Sequence, residues 1–209
     1  MKKILFNDKF HLTEAVLNGQ KTMTRRIVPI DLHNSTDWRA VESGDYIAVE
    51  TRDGDFIDIR DCGNYSVGEV VAIAQSYSQI EDYICHKDGY SEVMVLKQSS
   101  GWNNKMFVRA ELMPHHIRIP DIKVERMQDI SDEDCLKEGV GCAAMPFGYY
   151  VKGIELKKPY YESDTGFTWT HKPFKSPREA FAVLIDKVSG KGTWENNPWV
   201  FVYSFELID

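Results

Sequence analysis

The strongest chemical signal in the sequence is a cluster of basic and hydroxyl side chains that begins two residues after Gly19. Its members are Lys21, Thr22, Thr24, Arg25 and Arg26. A lysine whose pKa is lowered by burial and by neighbouring cations can act as a base, and arginine binds oxyanions and phosphates. The cluster therefore indicates a site for an anion or a polar ligand. Three basic residues in a loop are also commonly no more than solvated, so this alternative stays open.

The spacing of the cluster places its members on two faces if the segment is a strand. Thr22, Thr24 and Arg26 would then share one face, and Met23 and Arg25 the other. A junction between a loop and a strand is a common position for binding residues, because a rigid element holds them while the loop leaves them accessible.

The charge of the chain is distributed unevenly around this cluster. The 209 residues carry a formal net charge of −7, with 25 basic and 32 acidic side chains. Residues 1–30 contain six basic and two acidic residues, a net charge of +4, so the remaining 179 residues carry about −11. The overall field excludes broad binding to DNA, RNA or an anionic membrane. A single nucleotide or base held at a local basic site is still compatible with it.

Other kinds of site find no support in the sequence. The four cysteines (Cys62, Cys85, Cys135 and Cys142) form no CxxC motif, and the six histidines form no HExxH motif. We therefore expect no metal, no cofactor and no disulfide. The first eight residues lack the apolar stretch of a secretory signal, and no run approaches the roughly 18 apolar residues of a membrane span. The sequence predicts a cytoplasmic protein without a membrane partner.

The first half of the chain predicts one helix and several strands. Asn7 or Asp8 caps a helix that runs to about Asn18, where Gly19 ends it. Residues 30–43 are polar and predict irregular structure. Strands are predicted at 46–50 and 69–74, and Asp53-Gly54 predicts a hairpin that leads into the alternating segment 56–59.

The second half predicts two further helices and the closing strand. Met106–Val108 and Ile117–Val124 indicate strands interrupted by Pro114 and Pro120. Ser131 begins a short acidic helix that Gly139 ends, and Ser176-Pro177-Arg178-Glu179 begins a longer one. The apolar stripe of the longer helix consists of Phe181, Leu184, Ile185 and Val188. Residues 199–205 are apolar on both faces, as in a central strand.

Six or seven strands and three helices in irregular alternation exclude a doubly wound parallel sheet. The pattern predicts an α+β protein, a small mixed β-barrel with helical insertions. We expect a single domain over residues 1–209, with insertions at 76–101 and at 140–175, the second of them rich in glycine, proline and aromatic residues.

Two segments resemble the signature of the ASCH domain, a PUA-like β-barrel: residues 19–26 (GQKTMTRR) and 43–49 (SGDYIAV). Later segments are similar to the larger phage- and prophage-type members, namely Met113-Pro114, residues 124–131 (VERMQDIS), Glu138-Gly139 and residues 197–200 (NPWV). The resemblance covers roughly residues 1–75, 102–140 and 176–207.

The resemblance implies a cleft beside the lysine loop that binds RNA or a nucleotide-like ligand. One branch of the family is an amidohydrolase that removes the acyl group of N4-acetylcytidine. Its lysine, threonine and arginine fall on Lys21, Thr24 and Arg26 of this chain, and helix register places its glutamate on Glu138. Arg25 stands where that branch has an apolar residue, and this chain is about twice as long.

These residues suggest a mechanism for amide hydrolysis. Lys21 would act as the base towards Thr24 or a water, Glu138 would pass the proton to the leaving nitrogen, and Arg26 would bind the oxyanion or a phosphate. Arg25 and Thr22 are further candidates for ligand binding.

Purely structural roles are the alternative: Thr24 as an ordinary strand residue, Glu138 as the last polar residue of its helix, and Arg26 paired with Glu50 or Glu138.

A non-catalytic RNA- or nucleotide-binding module is also open, since tryptophans can stack on bases: Trp102, Trp169, Trp194 and Trp199. A phage accessory protein with neither activity is the third possibility, and the oligomeric state stays open. A distance of about one hydrogen bond between the Lys21 amine and the Glu138 carboxylate would support an active site at these residues. Positions on opposite sides of the protein would exclude it.

Overall fold

The structure is a computed structural model that describes residues 1–29, 38–40, 47–50, 56–143, 148–162 and 166–208. The helices in these ranges are α1 (Leu12–Leu17), α2 (Glu81–Asp88), α3 (Tyr90–Leu96), α4 (Asp132–Lys137), α5 (Pro177–Ser189) and α6 (Thr193–Asn196). The strands are β1 (Lys3–Ile4), β2 (Met23–Ile27), β3 (Trp38–Ala40), β4 (Ile47–Glu50), β5 (Phe56–Asp58), β6 (Val70–Ile73), β7 (His116–Arg126), β8 (Gly141–Cys142), β9 (Tyr149–Tyr150), β10 (Glu155–Glu162), β11 (Phe167–His171) and β12 (Trp199–Leu207).

A mixed five-stranded sheet with the order β1-β6-β7-β12-β2 forms the centre of the protein. β1 runs parallel to β6, and the other neighbours are antiparallel. Four consecutive residues of β12, Val200 to Tyr203, are buried, which confirms the prediction of a closing strand that is apolar on both faces. The protein is therefore an α+β protein. Among the described strands, the edge strands β1 and β2 do not pair with each other, so no closed barrel is found.

Three smaller sheets accompany the central one: β3-β4-β5, β8-β9 and β10-β11. β4 and β5 pair antiparallel through Val49 and Ile57, on either side of the predicted hairpin. The Asp53-Gly54 turn itself lies outside the described residues. The predicted irregular segment 30–43 contains β3, so that prediction is wrong for residues 38–40: these pair with β4, a tertiary contact that local polarity does not reveal.

Two other expectations about β structure are wrong. Pro120 does not interrupt a strand. It lies where the β7–β12 register shifts between Ser204 and Glu206, and proline is tolerated at such a bulge because no backbone N–H is needed there for a hydrogen bond. Met106 and Phe107 belong to a 3₁₀ turn, because the Asn104 side chain accepts a hydrogen bond from the Met106 backbone and turns the chain.

The helix ends follow the predicted capping residues. The Oγ of Ser131 accepts from Asp134 N before α4, and the Oγ of Ser176 accepts from Glu179 N before α5. The first predicted helix is split, since His11 has a left-handed φ of 54° between a 3₁₀ turn and α1. Gly19 has a φ of 69°, the left-handed conformation that lets the chain turn back from α1 into β2.

The two predicted insertions have local structure of their own. Residues 77–96 form a 3₁₀ turn, α2 and α3, and their buried side chains belong to a second apolar cluster around Tyr77 and Ile84. The described residues between 141 and 171 include the strands β8 to β11. The main core packs α1, α4 and α5 onto the central sheet.

Ser131→Ala should destabilise the protein by about 1 kcal/mol, because it removes the acceptor that satisfies the first turn of α4. Urea unfolding followed by circular dichroism measures this. Ser131→Asp restores an acceptor and is the control. Equal stability of the alanine variant and the original chain would contradict the capping role.

Candidate functional site

The loop between α1 and β2 is fixed at both of its ends by backbone hydrogen bonds. The amide of Lys21 donates to Ala15 O at 2.9 Å, which ties the loop to α1. The amide of Thr22 donates to Lys137 O at 3.0 Å, which ties it to the last turn of α4. The start of β2 is therefore held beside the end of α4, although 115 residues separate Thr22 from Lys137.

Close packing at the end of α4 depends on Gly139. Its φ of 103° favours glycine, and a Cβ atom at this position would lie 3.0 Å from a methyl group of Leu12 and 3.7 Å from Cδ of Lys21. Glycine therefore both ends α4 and leaves room for the Leu12 methyl group, while the Lys21 side chain lies at ordinary van der Waals distance. Glu138, the residue before it, points its carboxylate at the Lys21 amine.

Lys21 and Glu138 form a buried ion pair. Lys21 is 2% exposed and Glu138 is 4% exposed. The Lys21 Nζ donates to Glu138 Oε2 at 2.6 Å, to the Glu138 carbonyl at 2.8 Å and to the Met23 carbonyl at 2.7 Å. One hydrogen bond joins the amine to the carboxylate, which is the proximity that a shared site for these two residues requires.

Arg25 holds the other side of the same carboxylate. Its Nη1 donates to Glu138 Oε1 at 3.1 Å, and its Nη2 donates to Glu125 Oε1 at 2.6 Å. Asp134 Oδ2 lies 3.6 Å from Nη2. The arginine side chain is fully buried, so these carboxylates neutralise it. The sequence suggested ligand binding for Arg25, and the structure places its guanidinium in an ionic network within the protein.

Burial lowers the pKa of the Lys21 amine, because removal from water disfavours the charged form. The charge and hydrogen bond of Glu138 oppose this effect, while the positive charges of Arg26 and Arg25 add to it. The net direction is downward. Lys21 therefore loses its proton at a lower pH than an exposed lysine, as expected of a lysine base.

These side chains border a cavity of about 370 Å³ at the open edge of β2. The polar residues that line the cavity are Asn7, Lys21, Thr24, Arg25, Arg26, Asn64, Glu138 and Ser189. The opposite side is apolar, and α5 provides most of it through Phe181, Leu184, Ile185 and Val188. The helix stripe that the sequence assigns to the core thus also forms one wall of the cavity.

The cavity fills the gap between the two edge strands of the sheet. Leu5, Phe6 and Asn7, which follow β1, line it on one side and β2 lines it on the other. Arg26 crosses the gap, since its Nη2 donates to the Leu5 carbonyl at 2.6 Å. Among the described side chains, no ion pair joins Arg26 to Glu138, and the side chain of the other suggested partner, Glu50, lies outside them.

The two threonines of the cluster have different positions. Thr24 is 5% exposed and lines the cavity. Thr22 does not line it, and its backbone is used in packing: its carbonyl accepts from Phe205 N at 2.9 Å. The expected alternation of faces places Thr24 and Arg26 together, but Arg25 also reaches the cavity, because the opening lies at the edge of the sheet.

The structure adds residues that the sequence did not assign to the site. Asn64, Glu125 and Asp134 come from three separate segments, and Leu5 and Asn7 come from the N-terminus. The strand pairings of the central sheet, in the order β1-β6-β7-β12-β2, bring these segments together. No local pattern marks them in the sequence. Of the four candidate tryptophans, none lines this cavity.

Other classes of site are not found in the described ranges. No group of three or more His, Cys, Asp or Glu side chains there is arranged to hold a metal ion. The described helices include none that is both long and apolar enough to cross a bilayer.

Comparison with family models, with curated proteins and with solved structures finds no match for this chain. The resemblance to the ASCH domain therefore stays a prediction from the sequence.

Glu138→Gln should reduce the free energy of unfolding by about 3 kcal/mol, because it leaves two buried cations without their shared anion. Lys21→Met together with Glu138→Gln should recover part of this loss, since methionine fills the same space without a charge. Urea denaturation of the two single variants and the double variant gives the coupling energy.

Glu133→Gln is the matched control for this cycle, because Glu133 is an exposed acid on the same helix. It should leave stability unchanged. A coupling energy of zero between positions 21 and 138 would show that the pair contributes nothing to folding.

Proposed function

We propose that this protein is an ASCH-type amidohydrolase that cleaves a linear amide on a nucleoside-like substrate of the N4-acylcytidine class. The observation that carries the proposal is the Lys21–Glu138 pair, 2.6 Å apart, in the wall of a cavity that Thr24 and Arg26 also line. The positions that the resemblance assigns to an amidohydrolase thus come together from segments more than 100 residues apart.

The proposal includes the PUA-like fold. The mixed sheet with edge strands β1 and β2 facing one gap is consistent with a barrel that is open on one side. The Arg26–Leu5 hydrogen bond joins the two edges where a closed barrel would have a backbone ladder. In this proposal the opening of the barrel is the ligand site.

The dimensions and lining of the cavity suit a nucleoside. Its volume of about 370 Å³ lies in the usual range for sites that bind small molecules. A pyrimidine ring can pack on the apolar side chains of α5 while its exocyclic amide faces the polar side. The amide carbonyl would then lie near Thr24 and Lys21, with Arg26 as a donor for the developing oxyanion.

A proton transfer within the ion pair starts the reaction in this proposal. The Lys21 ammonium gives one proton to Glu138 Oε2, which leaves a neutral amine and a carboxylic acid. The amine then accepts the proton of Thr24 or of a water as that oxygen attacks the amide carbonyl. Glu138 donates its proton to the departing nitrogen, which leaves as the cytidine amino group. If Thr24 attacks, a water hydrolyses the resulting ester in a second round.

Arg25 opposes the first step of this sequence. Its hydrogen bond to Glu138 Oε1 favours the ionised carboxylate, and so disfavours proton transfer from Lys21. This contact favours a second candidate function, nucleoside binding without chemistry. The Lys21 amine already donates three hydrogen bonds to protein acceptors, which also favours binding without chemistry.

Purified protein should hydrolyse N4-acetylcytidine to cytidine, and Lys21→Ala should abolish the reaction because it removes the base. Loss of the acylated chromophore at a fixed wavelength measures the rate. Lys123→Ala removes an exposed lysine of β7 and should leave the rate unchanged. A rate no higher than that of Lys21→Ala would remove the hydrolytic proposal for this substrate and leave the binding function.

The rate should fall as the pH rises through a midpoint below the 10.5 of an ordinary lysine, because burial lowers the pKa of Lys21 and the pair then loses the proton that Glu138 donates to the leaving nitrogen. Folding stability should rise over the same interval, since the unfolded chain retains the proton to a higher pH than the folded chain. A pH–rate profile and urea denaturation at several pH values test both trends. Lys21→Met should abolish the pH-dependent rise in stability, and an unchanged rise in that variant would exclude Lys21 as its source.

A further inference from the structure

The turn after the 3₁₀ segment Ile59–Cys62 borders the cavity at β2 and brings Asn64 to it. The backbone of Asn64 is held at two points. Its N–H donates to the Tyr203 hydroxyl at 3.1 Å, and its carbonyl accepts from Lys2 Nζ at 2.8 Å. The fold therefore fixes where Asn64 lies, although the residue is exposed.

Gly63 allows this turn to pack directly on the central sheet. Tyr203 lies on β12 and is fully buried. A Cβ atom at position 63 would lie 2.6 Å from the Tyr203 hydroxyl, which is closer than Cβ atoms come to other atoms in proteins. A larger residue before Asn64 would therefore move the turn away from the sheet and from the cavity.

Strand register places Asn64 near the polar residues of β2. Tyr203 is the register partner of Thr24, so these two side chains point to the same face of the sheet. Arg26, two residues further along β2, belongs to that face as well. Burial raises the pKa of Tyr203, and the positive charge of Arg26 opposes this rise, as expected of a near neighbour. Asn64, which is bound to the Tyr203 hydroxyl, thus lies on the side of the cavity that Thr24 and Arg26 form.

The hydrogen bonds within the cavity wall leave few polar groups for a ligand. The Lys21 amine and the charged groups around it already bind protein partners. Among the described residues, no hydrogen bond is found to the side chains of Thr24, Asn64 and Ser189, which also line the cavity. Of these three, only the Asn64 carboxamide carries a donor and an acceptor on two separate atoms of one planar group.

A cytosine ring offers the complementary pair of groups. Its N3 accepts a hydrogen bond and the neighbouring N4–H donates one, and this N–H is retained when N4 carries an acyl group. Asparagine binds such an acceptor–donor edge with both atoms of its carboxamide, as it does with N7 and N6 of adenine. A simple amide, such as an acylated alkylamine, has the N–H but no ring acceptor beside it.

We propose that Asn64 is a specificity-determining residue that binds N3 and N4–H of the substrate ring while the acyl carbonyl lies at Thr24 and Lys21. This inference rests on the proposed function and adds to it the residue that distinguishes an acylated cytosine from other linear amides. The two backbone hydrogen bonds of Asn64 position the carboxamide before the ligand arrives, which reduces the entropy lost on binding.

The test compares the affinities of the protein for cytidine and for 3-deazacytidine, in which a C–H group replaces N3. Cytidine has the N3 and N4–H groups of the acylated substrate and is not consumed by hydrolysis. Titration calorimetry gives both dissociation constants. A bidentate contact at Asn64 should make cytidine bind roughly 5- to 150-fold more tightly than the deaza analogue.

Two variants at position 64 identify the source of this preference. Asn64→Ala removes the carboxamide, and Asn64→Asp keeps its size but removes the N–H that N3 needs. Both variants should bind the two nucleosides with similar affinity. Asn103→Ala is the matched control, because Asn103 is an exposed asparagine that does not line the cavity, and it should keep the preference.

The outcomes separate this inference from the proposed function. If the original chain binds both nucleosides equally, or if the preference persists in Asn64→Ala, the inference is overturned whatever the rate of N4-acetylcytidine hydrolysis. If the preference depends on Asn64 but N4-acetylcytidine is not hydrolysed, the inference holds for nucleoside binding and the hydrolytic proposal fails. If neither nucleoside binds, both proposals fail.

Discussion

The burial of the Lys21 ammonium against Glu138 is the constraint on which the rest of the site depends. A charge removed from water needs nearly complete compensation, and here three acceptors surround the amine. Two of the three belong to Glu138 itself, through its carboxylate and its carbonyl. The end of α4 must therefore lie within hydrogen-bonding distance of the start of β2, and the φ of 103° at Gly139 ends the helix there.

The Glu138 carboxylate has a cation beside each of its two oxygens. Arg25 reaches Glu138 from the opposite side and in turn needs Glu125 and Asp134. With Lys137, which pairs with Asp134, six described charged side chains thus form one network between β2, β7 and α4. The network holds the edge strand β2 in place without backbone hydrogen bonds between β1 and β2. The gap between these two strands therefore stays available as a cavity.

Local patterns in the sequence predict the ends of elements better than the contacts between them. Ser131, Ser176 and Gly19 act as expected, because a cap or a left-handed turn is decided within about four residues. The β3 strand depends on its pairing with β4, and the sequence analysis missed it together with the left-handed turn at His11. For the site, the basic cluster identifies Lys21, Thr24 and Arg26, and family resemblance adds Glu138. Sequence cannot show that Arg25 faces carboxylates, because its partners lie about 100 or more residues away.

The contribution of the Lys21–Glu138 pair to folding stability bears on the reason for a buried lysine and glutamate at this place. Apolar side chains of similar volume often stabilise a protein as well as a buried ion pair does, or better, by about 1–4 kcal/mol. Lys21 and Glu138 line the same cavity as the apolar residues Phe181, Leu184 and Ile185 of α5. These side chains could pack against apolar replacements at positions 21 and 138. Folding alone therefore gives little reason for a lysine and a glutamate here. The proton transfer that we propose between these two groups, 2.6 Å apart beside a hydroxyl and an arginine, would give a chemical reason. In that proposal Arg25 would oppose the transfer, because its hydrogen bond to Glu138 stabilises the negative charge of the carboxylate.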